Sequence, residues 1–65
     1  MNKKQIETII KDSLLFTIVT NKQTYPELNK NKIEFQEGLI KITTGHKAYD
    51  YIETKDVKII KIIEE

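Results

Sequence analysis

A chain of 65 residues makes one domain, and at that size only about 60% of the unfolded surface is buried, so stability is marginal without reinforcement. The absence of cysteine excludes disulfides and thiolate metal sites, and the single His46 has no companions at zinc-ligand spacing. Eleven lysines against ten acidic residues leave a net charge of +1, which excludes a global field drawing the chain onto nucleic acid or an anionic membrane.

Residues 2 to 12 read as a helix. Ile6, Ile9, Ile10, Ser13 and Leu14 fall on one face at i, i+3, i+4, i+7, i+8. Asn2 and Gln5 have capping-box spacing, and Glu7 with Lys11 makes a favourable i, i+4 pair. A helix this short is marginal alone, so its isoleucine stripe must dock. The segment 14–20, Leu-Leu-Phe-Thr-Ile-Val-Thr, is β-branched and apolar on both faces, which predicts a strand covered on both sides. Asn21-Lys22 is a turn. Pro26 lacks a ladder donor, so 23–28 is either an edge strand or irregular.

A meander follows, with strands at 32–37, 39–44, 46–53 and 56–63 and turns at Glu37-Gly38, Gly45 and Glu53-Thr54-Lys55. Short strands at this spacing indicate a small barrel or sandwich. The last segment also fits a helical period, but five β-branched residues between 57 and 63 favour a strand. The fold class expected is therefore mainly β with one N-terminal helix: a single domain over 1–65, built as a five-stranded, strongly bent small β-barrel. No run approaches the roughly 18 apolar residues of a membrane span. Ser13 to Val19 is too short and too polar for a secretory core, so a cytoplasmic location without a membrane partner is expected.

Catalysis is not expected. His46 and Asp50, at i, i+4 on one strand face, stand about 13 Å apart along the strand, beyond the reach of a base and its orienting group. No nucleophile motif, HExxH or phosphate loop is present, and the two glycines, Gly38 and Gly45, sit in turns. Neither cofactor nor metal is implied.

Three surfaces remain. Lys47, Tyr49, Tyr51 and Glu53 share the strand face opposite His46; two tyrosines at i, i+2 beside a lysine suit stacking of bases or nucleotide rings, or else one or both are core or cross-strand packing residues. Lys22, Lys30 and Lys32 lie in or beside two loops and are either a phosphate-contacting patch or solvated loop lysines. In the last strand Val57, Ile59 and Ile63 fall on one face, with Ile60 and Ile62 on the other. A lone barrel needs one apolar face per strand, so Val57, Ile59, Ile60 and Ile62 are the candidate interface of a homo-oligomer, unless the helix alone covers them. The absence of arginine argues against base-specific DNA reading, although the Lys, Ile and Asn richness also fits an AT-rich coding bias.

The order of helix and strands resembles the Sm-like family, which includes Hfq-type RNA chaperones, and more broadly SH3-like small barrels. The likeness rests on Ile6 to Asp12 as helix, Phe16 to Asn21 as first strand and turn, and Tyr49 to Val57 as the junction of the last two strands. It implies a ring assembled through those two strands and RNA bound by pore loops. The family's glycine in the bent second strand and the Tyr-Lys-His segment of Hfq-type members are absent here, so no RNA-binding residue is carried over. Two functions compete: an oligomeric barrel binding RNA, single-stranded nucleic acid or a nucleotide-like ligand, and a protein-interaction module or inhibitor acting on another protein through its strand edge or isoleucine-rich surface.

Overall fold

The helix forms where its cap dictates. In the computed structural model, which describes residues 1–63, α1 spans Lys3–Ile10. The Asn2 side chain accepts from the Gln5 N–H at 2.8 Å, and the Gln5 side chain accepts from the Asn2 N–H at 2.9 Å. This reciprocal cap satisfies two N–H groups that a helix otherwise leaves unpaired. The helix is shorter than the expected 2–12. It ends at Ile10, Lys11 is its C-cap, and the expected Glu7–Lys11 pair is absent; among the described residues the ion pair present is Lys55–Glu53 at 3.5 Å. The apolar stripe is narrower than its spacing implies. Ile6 and Ile10 are buried, whereas Ile9, within the helix, is exposed, and so is Leu14, which the chain reaches only after leaving the helix.

Six strands follow: β1 (Leu15–Thr20), β2 (Thr24–Leu28), β3 (Ile33–Gln36), β4 (Leu39–Gly45), β5 (Ala48–Glu53) and β6 (Val57–Ile63), with 3₁₀ turns at Lys30–Lys32 and Thr54–Asp56. They form two antiparallel three-stranded sheets, ordered β2-β1-β6 and β3-β4-β5. The fold is thus mainly β with one N-terminal helix. The expected five-stranded ladder is not closed among the described residues. The 3₁₀ turn capped by Asn29, whose side chain accepts from the Asn31 N–H at 2.9 Å, separates β2 from β3, and β5 and β6 are not paired with each other.

Both sheets turn one face to a shared core. Phe16, Ile18, Tyr25, Leu28 and Val57 come from the first sheet, Ile40 and Ile42 from the second, and Ile6 and Ile10 from the helix; all are buried. Ile33, Phe35, Ile52 and Ile60 pack half-buried around them. β1 is buried on one face only, with Leu15, Thr17 and Val19 half-buried on the other. The expectation of full cover on both sides holds in part.

Two bulges re-phase the strands. Opposite Thr17, β2 carries Pro26 and Glu27, since Phe16 opposes Leu28 and Ile18 opposes Tyr25. The extra residue accommodates the proline's missing donor and holds Glu27 at φ 52. In β6, Ile59 opposes Val19 while Val57 opposes Thr20, so Lys58 is the extra residue. A period-two reading therefore fails there. Val57 shares the core side with Ile60, not with Ile59 and Ile63.

The β3–β4 hairpin closes through Glu37-Gly38, with Gln36 opposite Leu39 and Gly38 at φ 71. Nothing lies within 4 Å of a Cβ built on Gly38, so its requirement is conformational. Replacing Gly38 by Ala is expected to cost about 1 kcal/mol by urea denaturation. Lys47→Gly, which relieves a non-glycine residue at φ 58, is expected to stabilise the fold by about 0.5–1 kcal/mol.

Candidate functional site

The outer face of the β3-β4-β5 sheet follows from its register. Core residues align in rows, Ile33–Ile42–Asp50 and Phe35–Ile40–Ile52. The residues between them must point outward: Glu34–Lys41–Tyr51, Gln36–Leu39–Glu53, and Thr43 with Tyr49. Tyr49 is 48% exposed and Tyr51 56%. Neither tyrosine is therefore a core residue, because Asp50 and Ile52 supply the half-buried side of β5. His46 lies in the turn before β5 rather than on its strand face, and Ala48 is exposed.

Lys41 was not among the residues singled out from sequence. It is half-buried, and its Nζ stands 4.2 Å from the centre of the Tyr49 ring. It thus reaches diagonally past its direct partner Tyr51 to make a cation–π contact. The alternation Leu39-Ile40-Lys41-Ile42-Thr43 placed it on an outward face, but only the strand register shows which tyrosine it meets.

Lys30 and Lys32 join this face. With Asn31, Glu34, Lys41, Thr43 and Tyr49 they border a groove of about 390 Å³. The Lys30 Nζ also donates to the Lys11 carbonyl just past the end of α1, where the helix dipole favours a cation. Lys22 is not brought to this groove. It sits in the β1–β2 turn beside a second groove of about 300 Å³ formed with Tyr25, Asp50, Tyr51 and Asp56. Lys47 lies in the β4–β5 turn and borders neither groove.

The second groove holds a polar clamp between the sheets. The Tyr25 hydroxyl donates to Asp50 Oδ2 at 3.0 Å, and Gln23 Nε2 donates to the same oxygen at 3.1 Å and to the Tyr25 hydroxyl. Tyr25 belongs to β2 and Asp50 to β5, so these bonds link one sheet to the other. The Tyr25 hydroxyl is held above the ordinary tyrosine value of 10.0. Burial is the largest cause, reinforced by the Asp50 carboxylate and opposed by the Gln23 amide.

The expected interface residues divide. Val57 is buried in the chain's own core and Ile60 packs half-buried against it, so neither is available as an exposed contact, because the Lys58 bulge turns Val57 inward. Ile59, 49% exposed, and Ile62, 42% exposed, remain open on β6, whose far edge is unpaired among the described residues. Those residues contain no cluster of three or more metal-ligating side chains, and none of their helices is long and apolar enough to cross a membrane. No protein-family model, curated protein or solved structure matches the chain.

Tyr25→Phe removes two hydrogen bonds, the one its hydroxyl donates to Asp50 and the one it accepts from Gln23, and is expected to destabilise the fold by about 1–2 kcal/mol near neutral pH. Because folding raises the Tyr25 pKa, the stabilisation tied to its neutral form is complete below pH 10 and is lost as pH rises through the folded value. Urea denaturation at about pH 8 and about pH 11 should therefore show the wild type losing stability relative to Tyr25→Phe at the higher pH.

Proposed function

We propose that this chain is a non-catalytic binding protein that takes RNA, other single-stranded nucleic acid or a nucleotide-like ligand on the outer face of the β3-β4-β5 sheet. In this reading the two sheets are the halves of one strongly bent five-stranded barrel of Sm-like or SH3-like type, bent at Asn29–Lys32. The observation that carries the binding reading is the exposed pair Tyr49 and Tyr51 with Lys41 set between them and Lys32 at the border. The ring of Tyr51, and the face of Tyr49 that Lys41 does not cover, can stack bases irrespective of sequence, and neighbouring ammonium groups take phosphate. A near-neutral chain with a local basic edge suits modest, salt-sensitive binding rather than long-range capture.

Fluorescence anisotropy with short A- and U-rich oligonucleotides tests this. Binding should weaken as salt rises, and Tyr51→Ala should cost about 1–3 kcal/mol of binding energy. Absent or salt-insensitive binding would refute the reading.

A second observation supports assembly. Ile59 and Ile62 leave apolar side chains exposed on opposite faces of β6, whose outer edge is unpaired among the described residues, and an open apolar edge invites pairing with another chain. The occupant proposed is a second copy of this chain. Light scattering should give a mass above one subunit, which Ile59→Lys reduces to that of the monomer while circular dichroism shows the fold retained. A monomeric wild type that captures a nuclease-resistant protein partner through the same edge would instead favour the protein-interaction module.

A further inference from the structure

A third groove, of about 520 Å³, runs between α1 and β3. Its floor is apolar, made by Ile10 of the helix and Ile33 and Phe35 of the strand. Both strand residues turn to the core side of the sheet, away from Tyr49 and Tyr51. One wall is a single helical stripe, because Lys4, Glu7, Thr8 and Lys11 recur at i, i+3, i+4 and i+7. The helix lies alongside the strand and runs the opposite way. At one end the Lys3 Nζ stands 5.8 Å from the centre of the Phe35 ring; at the other the Lys30 Nζ donates to the Lys11 carbonyl. The groove therefore follows the length of β3.

β3 is an outermost strand of its sheet, and its far edge is unpaired among the described residues. Successive residues of an antiparallel strand alternate between bonding their partner and directing N–H and C=O groups the other way. The Ile33 N–H donates to the Lys30 carbonyl. This puts Ile33, and with it Phe35 two residues on, in the set that does not bond β4. The Phe35 N–H and C=O and the Ile33 C=O are thus directed to the free edge, beside the groove. A strand added there would satisfy these groups and turn every second side chain down onto the apolar floor.

The walls select for charge. Lys4, Lys11 and Lys30 line the groove against one acid, Glu7, while Glu34 sits on the other face of the sheet. Lys4 and Lys11 stand about 10 Å apart along the helix axis. Inward side chains at i and i+4 of an added strand are about 13 Å apart, a difference that flexible lysine stems take up. The inward residue between them would meet the apolar floor with Glu7 beside it, which favours an apolar side chain there over an acid. A nucleic-acid strand has no alternating N–H and C=O groups to match the edge, and the groove's one ring, Phe35, already carries Lys3.

We infer that the groove between α1 and β3 takes an extended acidic peptide segment of another protein, added to the sheet at the β3 edge, with carboxylates at i and i+4 and an apolar residue at i+2. The site lies on the opposite side of β3 from the tyrosines, so it stands whether or not their face binds nucleic acid.

The test titrates the full chain with a blocked heptapeptide carrying threonine at odd positions, glutamate at the second and sixth, and valine at the fourth. Amide NMR signals of β3 and α1 should shift, and the Phe35 N–H should gain protection from hydrogen exchange. A peptide with lysine in place of both glutamates should bind about tenfold more weakly. The doubly substituted Lys4→Glu, Lys11→Glu chain should reverse that preference; both side chains are exposed, and circular dichroism checks that the fold is kept. N-methylating one alternate set of peptide amides, the set that faces β3, should abolish binding. Failure of the glutamate peptide to bind, equal binding of the lysine peptide, or indifference to methylation of either set would overturn the inference. So would shifts at Tyr49 and Tyr51 in place of β3.

Discussion

The antiparallel pairing of β1 with β6 is the constraint on which the rest of the molecule depends. It sets Leu15 opposite Ile63 and Phe16 opposite Ile62, so the first and last strands lie side by side. Every other element is enclosed between them in sequence, apart from the helix. Closing that span costs chain entropy before any core contact forms. The return comes from a core in which residues of the helix and both sheets meet. A chain this small has little stability to spare, on the order of 3–10 kcal/mol, so the two sheets and the helix must form together.

Polar bonds complete what the apolar core begins. The Tyr25–Asp50–Gln23 clamp ties β2 to β5, and the Thr54 N–H donates to the Gly38 carbonyl at 3.1 Å, joining the β5–β6 connection to the β3–β4 turn. Both links cross from one part of the chain to another. The amino group of Met1 also donates to the Thr54 and Val57 carbonyls, which sets the start of the helix against the same connection. With β5 held by Asp50 on its inner side, Tyr49 and Tyr51 have only the outer side to occupy. The exposed aromatic pair is thus a consequence of how the sheets are joined.

The outer face then acquires its character from three separate stretches of chain. Lys30 to Lys32 comes from the capped 3₁₀ turn, Lys41 from the centre of β4, and the tyrosines from β5. None of these residues is unusual in its own segment. A lysine in a loop, a lysine on a solvated strand face and a tyrosine at a strand position each have an ordinary explanation. Their meeting on one face gives the surface its capacity to hold both a ring and a phosphate.

Much of this was legible in the amino-acid sequence. The capping box at Asn2 and Gln5, the apolar pair Ile6 and Ile10, the β-branched runs and the Glu37-Gly38 turn are local signals, and local geometry follows from local chemistry. The strands accordingly fall close to their expected spans. What the sequence could not determine depends on residues distant in the chain. The inward face of β5 was ambiguous because Ala48, Asp50 and Ile52 are poor core residues; Tyr25 decides it by reaching Asp50 from the other sheet. Val57 was placed on the wrong face of β6, though Ile59 and Ile63 do lie opposite Ile60 and Ile62, because alternation assumes an unbroken ladder, and the bulge at Lys58 adds a residue that only the pairing with β1 reveals. The composition and strand order by themselves determined a small, mainly β, cysteine-free domain with a capped N-terminal helix. Tertiary structure alone decided which isoleucines are core, which are open, and that Lys41 meets Tyr49, because side-chain direction in a sheet is set by register between strands rather than by either strand alone.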